Sequence, residues 1–90
     1  MSFKKRCESV ADQIGVTVDF FKDSHQQEPF EDDGNLHIVR NGLRACFDVG
    51  NGQSNTGKKQ NVLSEHILAA LGIKSYIRNR VLVEEDDEED

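Results

Sequence analysis

Several things are scarce in these 90 residues, and each scarcity excludes a class of protein. There are two cysteines, Cys7 and Cys46. That is too few for a disulfide framework, so the chain must be held by a hydrophobic core. A single proline, Pro29, rules out a proline-rich linker or repeat. No apolar run approaches the roughly 20 residues needed to cross a bilayer, so no membrane association is expected. The N-terminal Met1-Ser2-Phe3-Lys4-Lys5-Arg6 is basic, but no apolar stretch follows it as a signal peptide requires. The expected location is cytoplasmic, or nuclear in a eukaryote. Ninety residues allow one small domain.

Charge is abundant and unevenly placed. The chain carries 11 basic and 17 acidic residues, a formal net charge of -6. Seven of the acids form the terminal run Glu84, Glu85, Asp86, Asp87, Glu88, Glu89 and Asp90. A block of like charges repels itself, so residues 84–90 are expected to be a disordered tail on a compact domain spanning 1–83. Without that run, 10 acids face 11 bases. Residues 1–34 hold four bases and eight acids, whereas residues 35–83 hold seven bases and only Asp48 and Glu65 as acids. An acidic protein on average thus has a basic C-terminal half.

Periodicity outlines the elements. Phe3, Cys7, Val10, Ala11 and Ile14 form one helical stripe, with Ser2 placed to cap its start and Gly15 to end it. Val16–Lys22 alternates like a strand, and the adjacent Phe20 and Phe21 suggest partial cover on both faces. Residues 23–35 are polar and acidic and read as a mobile loop, with Phe30 able to dock back onto the domain. Asn41-Gly42 is a two-residue hairpin signal, because both residues accept the positive φ of a type I′ turn. A two-residue loop fixes the register. Arg40 should face Leu43, Ile38 face Ala45 and Leu36 face Phe47, making a core face completed by Val49 with Arg40 at its rim. The opposite side should pair Val39 with Arg44 and His37 with Cys46.

Residues 50–57 form a glycine- and asparagine-rich loop, expected to be flexible. A second helix should follow, capped by Thr56 or Asn61, with Val62, Leu63, His66, Ile67, Ala70 and Leu71 on its apolar stripe and Gly72 at its end. Ile73–Val83 reads as a last strand with a sheet edge that invites pairing with a second copy. The expected fold is α+β, in the order α-β-β-β-α-β, with two helices on one face of a mostly antiparallel sheet.

The chemistry-bearing patterns are weak. Gly52-Gln53-Ser54-Asn55-Thr56-Gly57-Lys58 has the spacing of a phosphate-binding loop between a strand and a helix. Lys59 stands where the magnesium-holding hydroxyl belongs, and the chain is too short for the parallel sheet of a nucleotidase. What survives is an anion site at the second helix's N-terminus beside Lys58 and Lys59, against the plainer reading of a solvated turn. His37 and Cys46 are cross-strand neighbours with no further ligand and no third group to orient the imidazole. Glu28, Glu31, Asp32 and Asp33 lack the alternating spacing of a calcium loop. No carboxylate pair suits acid–base work. The expectation is no catalytic residue, no metal and no cofactor.

The basic residues Arg40, Arg44, Lys58, Lys59, Arg78 and Arg80 are candidate contacts for nucleic acid or another anion. The succession of a helix, three strands and a helix is similar to that of double-stranded RNA-binding domains. Gly15-Val16-Thr17-Val18-Asp19-Phe20-Phe21 looks like their turn and first strand, and Gly57-Lys58-Lys59 ahead of Ala69-Ala70-Leu71 looks like their lysine-bearing second helix. By that resemblance Lys58 and Lys59 would contact phosphates across a groove. The chain departs from the family at Ser24-His25-Gln26-Gln27, where a Gly-Pro-x-His loop is expected, and in its extra last strand. With no chemistry marked, the first expectation is a non-catalytic interaction protein. It would be a small regulator or inhibitor that binds another protein, as a monomer or an edge-paired homodimer, with residues 84–90 adding electrostatic attraction. A nucleic-acid-binding module whose tail modulates binding is the second.

Overall fold

A computed structural model describes residues 1–50 and 57–74. Helix α1 spans Phe3–Ile14 and is followed by strands β1 (Val18–Lys22), β2 (Phe30–Asp32), β3 (Asn35–Arg40) and β4 (Leu43–Asp48), then helix α2 (Gly57–Leu71). The fold is α+β, as expected, and the order over the described residues is α-β-β-β-β-α. The four strands form one antiparallel sheet in the order β1-β4-β3-β2.

Local chemistry sets the ends of these elements. The Ser2 hydroxyl accepts a hydrogen bond from the Lys5 amide at 3.1 Å, capping α1. Gly15, at φ 91°, ends it: the amides of Gly15 and Val16 both donate to the Ala11 carbonyl. Gly72, at φ 81°, ends α2 in a Schellman pattern, Gly72 N–H to Ala69 O and Ile73 N–H to Leu68 O. The Arg6 guanidinium donates to the Leu71 carbonyl at 3.0 Å, placing a cation at the negative end of α2 and tying the helices together.

The Asn41-Gly42 hairpin has the expected register, from Arg40 opposite Leu43 to Leu36 opposite Phe47, and both turn residues have positive φ. Leu36, Ile38, Ala45, Phe47 and Val49 are buried and Leu43 is half-buried. They meet Cys7, Val10 and Ala11 of α1 and Ile67, Leu68 and Leu71 of α2, so both helices cover the same sheet face. Burial pushes the Cys7 thiol up to about 11, the mark of a thiol behaving as a small hydrophobe.

Five expectations need correction. The segment read as a loop over 23–35 contains β2, joined to β3 by a second two-residue turn, Asp33-Gly34, with φ of 56° and 80°. The inward stripe of α2 is rotated: Ser64, Ile67, Leu68 and Leu71 are buried, while Val62, His66 and Ala70 are exposed. Rotation keeps Leu68 in the core with Ile67 and Leu71, at the cost of turning Ser64 inward. Asn61 lies within α2, which begins at Gly57, so it is not the cap. The first strand begins at Val18 rather than Val16. Ile73 and Lys74 belong to no strand; Thr56, the rest of the expected last strand and the acidic tail lie outside the described residues.

Candidate interaction surface on the open face of the sheet

Strand pleating sends alternate residues to opposite faces. With both helices on the Leu36–Ile38–Phe47 side, the other side carries Asp19 and Phe21 from β1 and Arg44, Cys46 and Asp48 from β4. It also carries Asn35, His37 and Val39 from β3 and Phe30 and Asp32 from β2. The register lines up Asp19, Cys46, His37 and Phe30 in one row across all four strands. The neighbouring row is Phe21, Arg44 and Val39. His37 and Cys46 are thus cross-strand neighbours away from the core, as the Asn41-Gly42 turn requires.

Two aromatic features define this face. Phe21 is 54% exposed, a high value for a large apolar side chain. Phe30 does dock onto the domain: its ring stacks on His37, with centroids 4.7 Å apart and planes within 9°. Sequence reasoning expected Phe21 to be partly covered, weighed Asp32 only as a calcium ligand and did not single out the exposed Asp19.

Residues 23–29 run from the β1 edge to the β2 edge, past the hairpin turn. The Asp23 amide donates to the Gly42 carbonyl at 2.9 Å. Gln26–Pro29 then line a cavity of about 340 Å³ with Ile38–Arg40 and Gly72–Lys74. Asp23 anchors this segment to the open face. Its Oδ2 accepts from Arg44 Nε at 3.0 Å and from Nη2 at 2.9 Å, and its Oδ1 accepts from the His25 amide at 2.9 Å. Arg44 Nη1 approaches His37 Nδ1 at 3.4 Å, which suits a neutral ring with its proton on Nε2.

The electrostatics follow from these contacts. The His25 amide, and next the Arg44 guanidinium, hold the Asp23 carboxyl below its ordinary range. Burial, and next the charge of Arg44, lower the basicity of His37, with Asp32 opposing. Burial, and next the charge of Asp19, raise the Cys46 thiol. A nucleophilic pair needs a lowered thiol beside an imidazole ready to take its proton. Both groups here are shifted the opposite way.

Four of the six expected anion contacts, Arg40, Arg44, Lys58 and Lys59, lie among the described residues. Arg40 and Arg44 lie on opposite faces of the sheet, Arg40 exposed and Arg44 committed to Asp23. Lys58 and Lys59 fall in the first turn of α2. Arg78, Arg80 and the acidic run from Glu84 to Asp90 lie outside the described residues. Among the described residues no group of three or more His, Cys, Asp or Glu side chains could hold a metal ion, and no helix is long and apolar enough to cross a membrane. Comparison with known proteins found no matching family model, no matching curated protein and no matching solved structure.

Proposed function

We propose that this protein is a non-catalytic interaction protein, a small regulator or inhibitor that binds another protein through the open face of its sheet. The observation that carries the reading is Phe21, 54% exposed on the face that also bears the Phe30–His37 stack and that neither helix covers. Exposing a phenylalanine to water forgoes hydrophobic stabilisation, and an apolar patch rimmed by polar groups marks a contact surface. The raised Cys46 thiol and the lowered His37 imidazole support the non-catalytic part. The acidic run 84–90 would strengthen attraction to a basic patch on the partner, an effect that salt would screen. Two unpaired cysteines suit a reducing interior, cytoplasmic or nuclear. Among the described strands β1 is an outer one and would offer a second copy an edge to pair with, which sedimentation would detect.

The test is capture of partners from the native host with the full chain, Phe21→Ser and residues 1–83, each with and without nuclease. The proposal expects a protein partner that survives nuclease and is lost with Phe21→Ser. Retention by that variant would overturn the reading. The second reading, a nucleic-acid-binding module, is favoured by Lys58 and Lys59 falling in the first turn of α2, at the positive end of the helix. It requires duplex RNA or DNA binding that falls steeply with salt and strengthens when residues 84–90 are removed.

A further inference from the structure

Resting on the open face as the contact surface, we infer that the partner presents arginine side chains to it, seated on the aromatics and paired with Asp19 and Asp32. Two exposed carboxylates flank the aromatic row. Asp19 starts it, and Asp32 lies two residues beyond Phe30 on the same side of β2. Three strand spacings separate β1 from β2, about 14 Å. Neither carboxylate has an ion-pair partner among the described residues. Phe21 lies two residues beyond Asp19 on the same side of β1, and the stacked Phe30 and His37 rings lie on β2 and β3, across the sheet from Asp19. Arg44, the only arginine or lysine that the described strands place on this face, is already neutralised by Asp23.

That combination selects one cation over others. A guanidinium is planar and weakly hydrated, so it stacks on an aromatic ring while its edge donates to a carboxylate. An ammonium is a compact, strongly hydrated point charge and does this less well. The face already pairs one guanidinium with a carboxylate: Arg44 gives two hydrogen bonds to Asp23, while its Nη1 makes a hydrogen-bond contact with His37 Nδ1. The inferred partner repeats that chemistry between molecules. Phosphate backbones are disfavoured, because they would meet Asp19 and Asp32 rather than a base.

The experiment uses the full isotope-labelled chain titrated with an arginine–glycine repeat peptide and with the matching lysine–glycine peptide, followed residue by residue by NMR. The acidic tail will attract any cationic peptide, so the site-resolved readout is essential. The amides of Asp19, Phe21 and Asp32 should shift saturably, with the lysine peptide weaker by about threefold. The double variant Asp19→Asn/Asp32→Asn, which alters only exposed side chains, should weaken the arginine peptide about tenfold at these amides. Shifts confined to residues 84–90, equal response to both peptides, or no effect of the double variant overturn the inference. So does shifting of the same amides by protein concentration alone, which would show a second copy on the face. Capture from the host separates the two levels. Partner loss with Phe21→Ser but not with the double variant keeps the face and removes the arginine; retention by both removes the face as well.

Discussion

Phe20 and Phe21 are neighbours in one strand with opposite fates. Phe20 packs against the core, with Lys4 Nζ 5.4 Å from its ring centre, whereas Phe21 stands 54% exposed on the other face. The same contrast holds for the whole sheet. One face is apolar and covered by two helices; the other mixes aromatics, carboxylates and a clamped arginine. Strand propensity is indifferent to this choice, because aromatic and β-branched residues suit either side of a pleat. What separates structure from recognition here is parity alone, and the two faces should therefore respond differently to the same substitution. Phe47→Ala empties a fully buried position and should cost about 3–5 kcal/mol, a large part of the stability of so small a domain. Phe21→Ala should stay within about 0.5 kcal/mol. Urea denaturation of the two variants checks the difference, and comparable losses would mean that Phe21 belongs to the core.

The two hairpins sharpen the comparison at the level of the backbone. Asn41-Gly42 and Asp33-Gly34 adopt the same pair of positive φ angles, 54° and 79° against 56° and 80°. A Cβ on Gly42 would meet nothing within 4 Å, so Gly42→Ala should cost about 1–2 kcal/mol from left-handed strain alone. Gly34→Ala should cost the same, because the Gly34 carbonyl accepts from the buried Val49 and joins the second turn to the core. If Gly42→Ala destabilises and Gly34→Ala is silent in global unfolding, β2 opens independently of the sheet.

Only the first of these turns was legible in the sequence, although Asp-Gly is as good a signal as Asn-Gly. The reason lies in Glu31. Strand β2 points Phe30 and Asp32 to the open face and Glu31 inward, 8% exposed, so the usual pattern runs backwards and three acidic-flanked residues look like loop. The same failure occurs in α2, where Ser64 faces inward and Val62 is exposed. Where inward residues are apolar, as in α1 and along the Leu36–Phe47 hairpin, periodicity located the core. Where a polar residue is buried, it misled. Glu31 Oε2 and Ser64 Oγ are also the buried side-chain oxygens without a hydrogen-bond partner among the described residues. At the candidate site, the pairing of His37 with Cys46 followed from the turn. The Asp23–Arg44 clamp did not, because its partners are 21 residues apart and one comes from a connecting segment.

Ser64 offers the next measurement. An unpartnered buried hydroxyl carries a desolvation penalty, and alanine removes it while favouring helix. Ser64→Ala should raise stability by about 1 kcal/mol, read as a higher urea midpoint at unchanged slope. A loss instead would show that the hydroxyl is satisfied in solution.

The smallest effect is carried by pH and is confined to the open face. His37 binds its proton less readily when folded than its ordinary 6.5, through burial and the charge of Arg44. The unfolded chain therefore takes up that proton first as pH falls below about 6.5, and stability declines until the folded ring also titrates. Asp23 is held below its ordinary 3.8 by the His25 amide and Arg44, so its contribution is present above that value and is lost as pH falls through the folded pKa. Both groups make the protein less stable in acid, in two separate windows. His37→Gln should flatten the upper decline in urea midpoints measured across the two windows, and Asp23→Asn the lower one. The two are linked through Arg44, whose guanidinium touches both. Removing the Asp23 charge leaves Arg44 uncompensated beside His37, so Asp23→Asn should also deepen the upper decline. An unchanged upper decline in that variant would mean that burial alone sets the histidine, and that the clamp anchors residues 23–29 without tuning the ring.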